Sequence, residues 1–540
     1  MSNNATRTDR FVQNTLATAA YMFAAWIMGF VTPHIMMTHY GSSVNGLIVT
    51  VTDILSYFKT VEVGLAAAAY AALYKPLAER NTERISAVVS AARIFYNAAG
   101  WFFMGATLIF GILYPLAVPV YAADGLQMEK FSVLLLILAM GVSGSLEFFT
   151  LARYRVLLAA DQRTFAVSLA SMASLLVQTL VLVILPAIGV DVILVRLLAS
   201  LTILVRTVLL KAYFHKHYPQ VNPLAAPDKS ALSSKWDALL SECTSVFQNA
   251  AALGIGTVIL RQSAIMSVYG AYHMVTTGLW SVLKMVTTGL NSIFGNLRVT
   301  DGEKAFSRTF SDFESLYHTC SAVLFSTAAM LIVSFVDLYG RDMMDANYHV
   351  PLLGLLIIAE AVTNHAKMPF EVMIQSTGRF RDVKIHCILE MAVTLVSGTL
   401  LCLVGISLPE ETLSRLGLLS SVEAGICGAV TGVCLGNLFR VVCQLTLVPP
   451  KITHTPVGES ILRILRMIFS VVLCTLPGYY LLKKFPPSSF LKWGLMAIPC
   501  ALFALAVCLG LAFLMDRRAT LSLFSRGKRF LLRKLGKEQA

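Results

Sequence analysis

Several ionisable side chains lie inside the long apolar stretches of this 540-residue sequence. A charge at the centre of a lipid-embedded helix costs about 2.5–3.5 kcal/mol, so such residues normally face a protein interior or a wet cavity. The candidates for binding a charged substrate are Lys59, Lys284, Glu62, Arg261 and Arg93. The candidates for ion coupling are Asp53, Glu147 and Glu360. Arg93 and Arg261 lie nearer to helix ends, so an interfacial structural role is their alternative.

Lys59 and Lys284 are the strongest candidates because each lies roughly two helical turns from the nearest predicted helix end. Two ammonium groups that face each other would suit a divalent or polyanionic ligand such as a pyrophosphate. Glu62 follows Lys59 by three residues on the same helical face and could neutralise it in the empty state. The alternative is a purely structural Lys59–Glu62 pair. Lys284 has no acid three or four residues away in the sequence.

Other charges in apolar stretches have structural explanations. Arg206 and Arg440 lie near the inner ends of their helices and can extend their guanidinium groups to the interface. Glu371 lies four residues after Lys367, which is the spacing of an ion pair on one helix face.

The cysteines and histidines predict no metal site, no cofactor and no catalytic centre. The ten cysteines include no C-x-x-C pair. The six histidines in apolar stretches include no H-x-x-x-H pair. A zinc or disulfide site needs clustered ligands in register, so we interpret the cysteines as small apolar residues packed among helices.

The composition shows which elements must position these charges. The chain is 56% hydrophobic and only 14% charged, with a mean hydropathy of +0.71. Soluble domains carry roughly 25% charged residues, so the solvent of this chain is lipid. The composition excludes a cytosolic enzyme, a disordered scaffold, a coiled coil and a secreted disulfide domain. It also argues against nucleic acid as a partner, despite a net charge of +13.

Apolar runs long enough to cross a bilayer occur about fourteen times. The predicted spans are approximately 11–36, 46–74, 88–116, 131–153, 164–187, 190–213, 237–262, 267–296, 312–336, 350–376, 384–408, 419–447, 461–482 and 490–515. Roughly 29 Lys and Arg fall on the side of the N-terminus and roughly 6 on the other, so both termini are predicted to be cytosolic. Those on the outer side are Lys130, Arg341, Arg415, Lys483, Lys484 and Lys492.

An internal repeat divides the chain. Gly46 with 59–65 matches Gly270 with 284–290 as G…K-x-V-x-x-G-L, at an offset of about 225 residues. Two further pairs of segments are similar, 154–158 with 370–374 and 204–208 with 438–442. Each half contains an even number of spans, so the repeat is parallel and implies two pseudo-symmetric lobes, an architecture typical of transporters.

The predicted organisation is an all-α polytopic membrane protein with five parts. These are an N-terminal six-helix lobe (1–213), a cytosolic linker (214–236), a C-terminal six-helix lobe (237–448), two last transmembrane helices (449–515) and a basic cytosolic tail (516–540). The last two helices have no counterpart in the first half. They would either provide a groove for a lipid tail or only pack against the second lobe. The tail would lie on anionic lipid or simply anchor the last helix.

This layout, with Tyr40-Gly41, Asn45-Gly46-Leu47, Val63-Gly64-Leu65 and Lys75-Pro76-Leu77-Ala78, resembles the polysaccharide branch of the MOP exporter superfamily, the Wzx-type oligosaccharide flippases. The resemblance implies a non-enzymatic flippase in the bacterial cytoplasmic membrane. It would move an undecaprenyl-pyrophosphate-linked oligosaccharide from the inner to the outer leaflet by alternating access, with a proton or sodium ion as a candidate coupling ion. Cationic cavity residues hold the anionic head in that family, and only Lys59 and Lys284 occupy matched positions here.

Two alternatives remain open at the level of sequence. A cation-coupled drug or metabolite exporter of the same fold would need an acidic cavity, for which Asp53, Glu62, Glu147 and Glu360 are available. A membrane polysaccharide polymerase or glycosyltransferase usually has a large outer loop or acidic residues in its first outer loop. The segment 38–45 contains no acid, which disfavours such an enzyme.

Overall fold

The computed structural model describes residues 7–59, 69, 72–73, 76–77, 79–161, 163–228, 247–248, 251–287, 294, 297, 302–522 and 525. These residues are almost entirely helical, and their only β-type pairing is an isolated antiparallel bridge between Tyr121 and Gln127. Ten of their helices are long and apolar enough to cross a membrane. The chain is therefore an all-α polytopic membrane protein.

The first half of the chain contains ten helices within the described residues. They are α1 (Arg7–Tyr40), α2 (Ser42–Lys59), α3 (Thr82–Ala117), α4 (Lys130–Leu146), α5 (Ala152–Ala160), α6 (Thr164–Ala187), α7 (Val192–Leu201), α8 (Ile203–His217), α9 (Ala251–Leu260) and α10 (Ser263–Thr287). A π-helical turn, Glu147–Leu151, joins α4 to α5. Asn81 and Asp191 cap α3 and α7 by accepting hydrogen bonds from backbone N–H groups of their first turns.

The second half contains eight helices among the residues described. They are α11 (Gly302–Tyr339), α12 (Pro351–Ala366), α13 (Met368–Thr377), α14 (Phe380–Ile406), α15 (Glu410–Arg415), α16 (Ser421–Val448), α17 (Val457–Lys484) and α18 (Phe490–Met515). A second π-helical turn, Pro449–Thr453, follows α16. Pro369 lies in the first turn of α13, where its missing N–H costs no helical hydrogen bond, and this explains why the tenth span breaks at Lys367.

Each of the fourteen predicted spans contains a helix of the described residues. The fifth and fourteenth spans match α6 and α18 residue for residue. The fourth, sixth and tenth are interrupted helices rather than continuous ones. Three spans are described only in part: the end of the second, the beginning of the seventh and the end of the eighth lie outside the described residues.

The chain divides into two compact units, Met1–Gly270 with Met343–Ala346, and Ala271–Asp342 with Asn347–Ala540. The division lies within α10 rather than in the segment 214–236, and the five-part scheme stays a prediction because 229–246 lie outside the described residues. In the first unit α1 packs on α6, and α4 packs on α3 and α7. In the second unit α14 packs on α16, and α11 packs on both α17 and α18.

Small residues allow the closest helix pair of the second unit. A Cβ atom on Gly432 of α16 would lie 2.2 Å from the Cα atom of Gly398 on α14. Such close backbone approach is how helices associate in lipid, where the hydrophobic effect does not drive them together. Large apolar side chains point outward elsewhere, as on α18, where Leu491, Leu495 and Leu502 are exposed.

Candidate functional site

Three cations of the first unit meet at one carboxylate, and we call these four side chains the Glu147 cluster. Lys59 Nζ donates to Glu147 Oε2 at 3.1 Å. Arg155 Nη1 and Arg206 Nη1 each donate to Glu147 Oε1 at 3.2 Å. The cluster therefore joins α2, the π-helical turn, α5 and α8.

Irregular backbone positions this cluster. Glu147 opens the π-helical turn between α4 and α5, and such turns are frequent at functional sites because they re-aim side chains. Arg206 follows the interruption between α7 and α8 at Thr202. The absence of a side chain at Gly144 makes room for Lys59, since a Cβ there would lie 2.9 Å from Lys59 Cε and 2.3 Å from a ring atom of Phe103.

The electrostatic balance of the Glu147 cluster favours an anion. Lys59 and Arg206 already share one carboxylate before Arg155 is counted. The Glu147 side chain is 11% exposed, whereas that of Lys59 is 33% exposed. The Lys59 side chain is thus the most exposed of the cluster, and the two arginines keep Glu147 compensated when the Lys59 ammonium group turns to a ligand.

A second ionic cluster lies in the second unit, and we call it the Lys367 cluster. Lys367 Nζ donates to Glu390 Oε1 at 2.6 Å and to Asn437 Oδ1 at 2.9 Å. Arg440 Nη2 donates to Glu371 Oε1 at 3.2 Å, and Arg440 Nε lies 3.7 Å from Glu390 Oε2. Two cations face two carboxylates here, so this cluster is balanced among its described members.

The two clusters occupy corresponding places in the repeat. The fourth and tenth spans are both interrupted, at Glu147–Leu151 and at Lys367, and these positions align when 154–158 is matched with 370–374. The sixth and twelfth spans supply the corresponding arginines, Arg206 and Arg440. Glu147 and Lys367, the charged residues at the two interruptions, have opposite signs.

The remaining substrate-site candidates lie in different surroundings. Lys284 is exposed on α10, with its Nζ 5.3 Å from the centre of the Trp280 ring. Arg261 is exposed between α9 and α10, in a left-handed backbone conformation. Arg93 is half-buried on α3, and its Nε has no hydrogen-bond partner among the described residues. Glu62 lies outside the described residues, and so does any Lys59–Glu62 pair.

The three carboxylates that were candidates for ion coupling differ in their partners. Glu147 is held by the cations of its cluster, which favours an anchoring role. Asp53 is half-buried on α2. Glu360 is 5% exposed on α12, and its Oε2 has no hydrogen-bond partner in the described part of the chain. A buried carboxylate oxygen without a partner is costly unless it is protonated or binds a cation, so Glu360 fits ion coupling best.

Three structural interpretations of charges were wrong. Lys367 pairs with Glu390 of α14 rather than with Glu371, because the helix breaks directly after Lys367. Arg440 is 2% exposed and bound to carboxylates, so it does not reach the interface. Arg206 likewise binds Glu147 within the unit.

Arg155 and Glu390 are the functional candidates that sequence reasoning missed. Arg155 is one of the roughly 29 cations assigned to the inner side, yet it lies on α5 beside Glu147. Its match with Glu371 in the repeat was the available signal. Among the described residues, no group of three or more His, Cys, Asp or Glu has the arrangement of a metal site.

No family model and no curated protein sequence matches the chain. Several solved structures do. An inward-facing multidrug resistance MATE family transporter of the MOP superfamily has a TM-score of 0.58 and 12% identity, over 86% of this chain and 96% of that one. An outward-facing form of such a transporter has a TM-score of 0.56 and 12% identity, over 88% of this chain and 99% of that one. This chain has the fold of MOP superfamily transporters.

A third solved structure is a MOP superfamily transporter from Pyrococcus furiosus, with a TM-score of 0.55 and 11% identity, over 86% of this chain and 96% of that one. Its description states that a reversed polarity of its binding pocket suggests a different function. These neighbours are transporters and not enzymes, and at this identity they show the fold alone.

Proposed function

We propose that this chain is a flippase for an undecaprenyl-pyrophosphate-linked oligosaccharide in a bacterial cytoplasmic membrane. The observation that carries the proposal is the Glu147 cluster, in which Lys59 and two arginines gather at one carboxylate inside a membrane protein. Placing several cations together in lipid is costly, so an anionic ligand that compensates them is the simplest reason for the arrangement. A pyrophosphate head supplies two adjacent negative groups.

Two features support this reading over a cationic cargo, and a third supports alternating access. Lys59 is the most exposed member of its cluster, so the ammonium group is accessible. Lys284, its repeat partner, is exposed on α10. The fold itself occurs in inward-facing and outward-facing forms, as the descriptions of two similar structures state, which supports alternating access as the mechanism.

The coupling step is assigned to Glu360. Its carboxyl group is buried on α12 of the second unit and is not a member of the Glu147 cluster, so a proton or sodium ion bound to Glu360 would not use the side chains proposed for the anion. Replacing Glu360 by Gln keeps the shape and removes the charge. The variant is expected to bind the lipid-linked glycan as well as the parent protein does while losing dependence of transport on an ion gradient.

The second candidate is a cation-coupled drug or metabolite exporter. The buried carboxylate of Glu360 and the half-buried Asp53 favour it, and so does the fold shared with multidrug transporters. A dye-efflux assay separates the two functions. An exporter of cationic drugs loses dye efflux in the Asp53→Asn and Glu360→Gln variants and keeps it in Lys59→Ala. A flippase shows no dye efflux, and its Lys59→Ala variant loses export of surface glycan.

The test of the main proposal uses the repeat-related lysines in cells. Lys284→Ala is expected to abolish export of surface glycan, and Lys284→Arg to retain part of it because charge persists with altered geometry. Surface glycan and membrane protein level are measured together, with Lys211→Gln, an exposed lysine of α8, as the control. Normal surface glycan in the Lys284→Ala strain refutes the pyrophosphate role.

A further inference from the structure

Four of the six cations predicted on the outer side, where Lys and Arg are scarce, belong to one small region of the second unit. Arg341 follows α11, Lys483 and Lys484 end α17, and Lys492 begins α18. Arg341 Nη1 donates to the backbone oxygen of Ser488 at 3.0 Å, and Lys492 Nζ donates to the hydroxyl of the same residue at 2.9 Å. We call these four cations the hairpin patch.

The three lysines of the hairpin patch have no acid in their own segment, whereas Arg341 is followed directly by Asp342. The α17–α18 hairpin, residues 477–499, contains no Asp or Glu. Arg415, another outer cation, differs from these lysines because it pairs with Glu411 at 2.6 Å. The scarcity of Lys and Arg on outer faces makes a concentration of them at one hairpin informative.

Aromatic side chains place this hairpin at the level of lipid headgroups. Tyr479, Tyr480, Phe485 and Phe490 are exposed, and the indole of Trp493 donates to the backbone oxygen of Leu331 at 3.4 Å. Tyrosine and tryptophan concentrate at the membrane–water interface because their rings are apolar and their tips are polar. The lysines of the patch therefore lie where lipid phosphates lie.

The hairpin also forms a cleft of about 480 Å³. Two cations line it, Lys484 and Lys492, together with the apolar residues Phe485, Pro487, Leu495 and Met496. A site that is cationic on one side and apolar on the other fits a molecule with a phosphate head and a hydrocarbon tail. Inorganic phosphate has no apolar part that would contact Leu495 and Met496.

We propose that this cleft binds the phosphate headgroup of an anionic lipid of the outer leaflet. Lys484 and Lys492 bind the phosphate, and the apolar residues contact the start of the acyl chain. The site lies on the two helices that have no counterpart in the repeat, and it does not depend on what the transporter carries. A loss of lipid binding and a loss of glycan transport are thus separate results.

The test measures lipid binding at Trp493 in the full-length protein. The other four tryptophans, Trp26, Trp101, Trp236 and Trp280, are replaced by Phe, and the protein is reconstituted in phosphatidylcholine containing brominated phosphatidylglycerol. Quenching of Trp493 reports the relative binding constant of the anionic lipid. That constant is expected to exceed the one for brominated phosphatidylcholine and to fall about fivefold for each of Lys484→Gln and Lys492→Gln.

Two controls decide the source of the phosphate and the location of the site. The double variant Lys130→Gln with Arg415→Gln removes two other outer charges and is expected to leave the binding constant unchanged. Millimolar inorganic phosphate, compared with chloride at the same ionic strength, is expected to have no effect. The proposal is overturned by equal quenching from both lipids, by an equal effect of the control variant, or by displacement with inorganic phosphate.

Discussion

At the scale of single residues, burial and partner number distinguish Lys59 from Glu147. Lys59 is one of three cations on a carboxylate, and it is partly exposed. Glu147 accepts hydrogen bonds from all three of these cations. Removing Glu147 is therefore expected to affect mainly folding, and removing Lys59 to affect mainly binding.

Glu147→Gln is expected to destabilise the protein more than Lys59→Gln does. Removing one partner of a fully buried pair costs about 3–5 kcal/mol. These cations are partly exposed, so about 1–3 kcal/mol is expected for Glu147→Gln and below about 1 kcal/mol for Lys59→Gln. Thermal unfolding in detergent measures the order, and surface glycan export should be lost in Lys59→Gln despite normal protein levels. Equal melting temperatures of the two variants would contradict the expected order, and values equal to that of the parent protein would show that the cluster does not contribute to stability.

Gly144→Ala tests whether the path of the Lys59 side chain matters. The added methyl group would collide with Phe103 and with Lys59 Cε, and overpacking of this kind costs about 1–3 kcal/mol. We expect reduced export together with a lower melting temperature. Gly105→Ala on α3 is the matched control, since no atom lies within 4 Å of its added Cβ. Indistinguishable behaviour of the two alanine variants would mean that Lys59 has another path to Glu147.

The sequence could not predict the pairs at this scale. Local spacing suggested Lys59–Glu62 and Lys367–Glu371, because residues three or four apart are neighbours on a regular helix. Lys367 instead binds Glu390, 23 residues away, and among the described residues Lys59 binds Glu147, 88 residues away, while Glu62 lies outside them. Both depend on a helix interruption and on tertiary packing, neither of which hydrophobic periodicity reveals.

At the scale of elements, a buried ionic network attaches the last two helices to α11. Arg463 of α17 binds Glu314 of α11 at 2.7 Å and Asp516, directly after α18, at 2.7 Å. The side chains of Arg463 and Glu314 are 2% and 0% exposed. The predicted absence of a repeat counterpart for these helices explains why they need an attachment of their own.

Arg463→Gln is expected to loosen the α17–α18 pair. The change leaves Glu314 and Asp516 without their shared cation, at a cost of about 3–5 kcal/mol. Arg415→Gln is the matched control, because its pair with Glu411 is equally short at 2.6 Å but 77% exposed, and such pairs are worth about 0–1 kcal/mol. Limited proteolysis in the 484–490 connection and thermal unfolding measure the difference. Similar losses in both variants would argue that burial does not strengthen the pair.

Element boundaries were predicted well where composition decides them. The span 164–187 equals α6 because Arg163 and the Gly189 turn border an unbroken apolar run. The interruptions at Glu147 and Lys367 were not predicted from hydrophobic periodicity. A π-helical turn leaves the apolar pattern of a span intact, and Pro369 was the available signal for the break at Lys367.

At the scale of the whole molecule, the hydropathy and the internal repeat predicted the all-α membrane fold, and solved MOP superfamily structures share that fold. Sequence could not decide the cargo, because one fold carries sites of different polarity and function depends on the site. The charge of the Glu147 cluster is the feature of this chain that favours an anionic cargo over a cationic one.

The most direct test of this central claim follows a fluorescent undecaprenyl-pyrophosphate-linked oligosaccharide across proteoliposome membranes. A membrane-impermeant quencher reports the fraction of the label in the outer leaflet over time. The account predicts transfer between leaflets by the parent protein, loss of transfer in Lys59→Gln and Lys284→Ala, and retention in Lys211→Gln. Absence of transfer by the folded parent protein, or equal rates in the lysine variants and the parent, would contradict it.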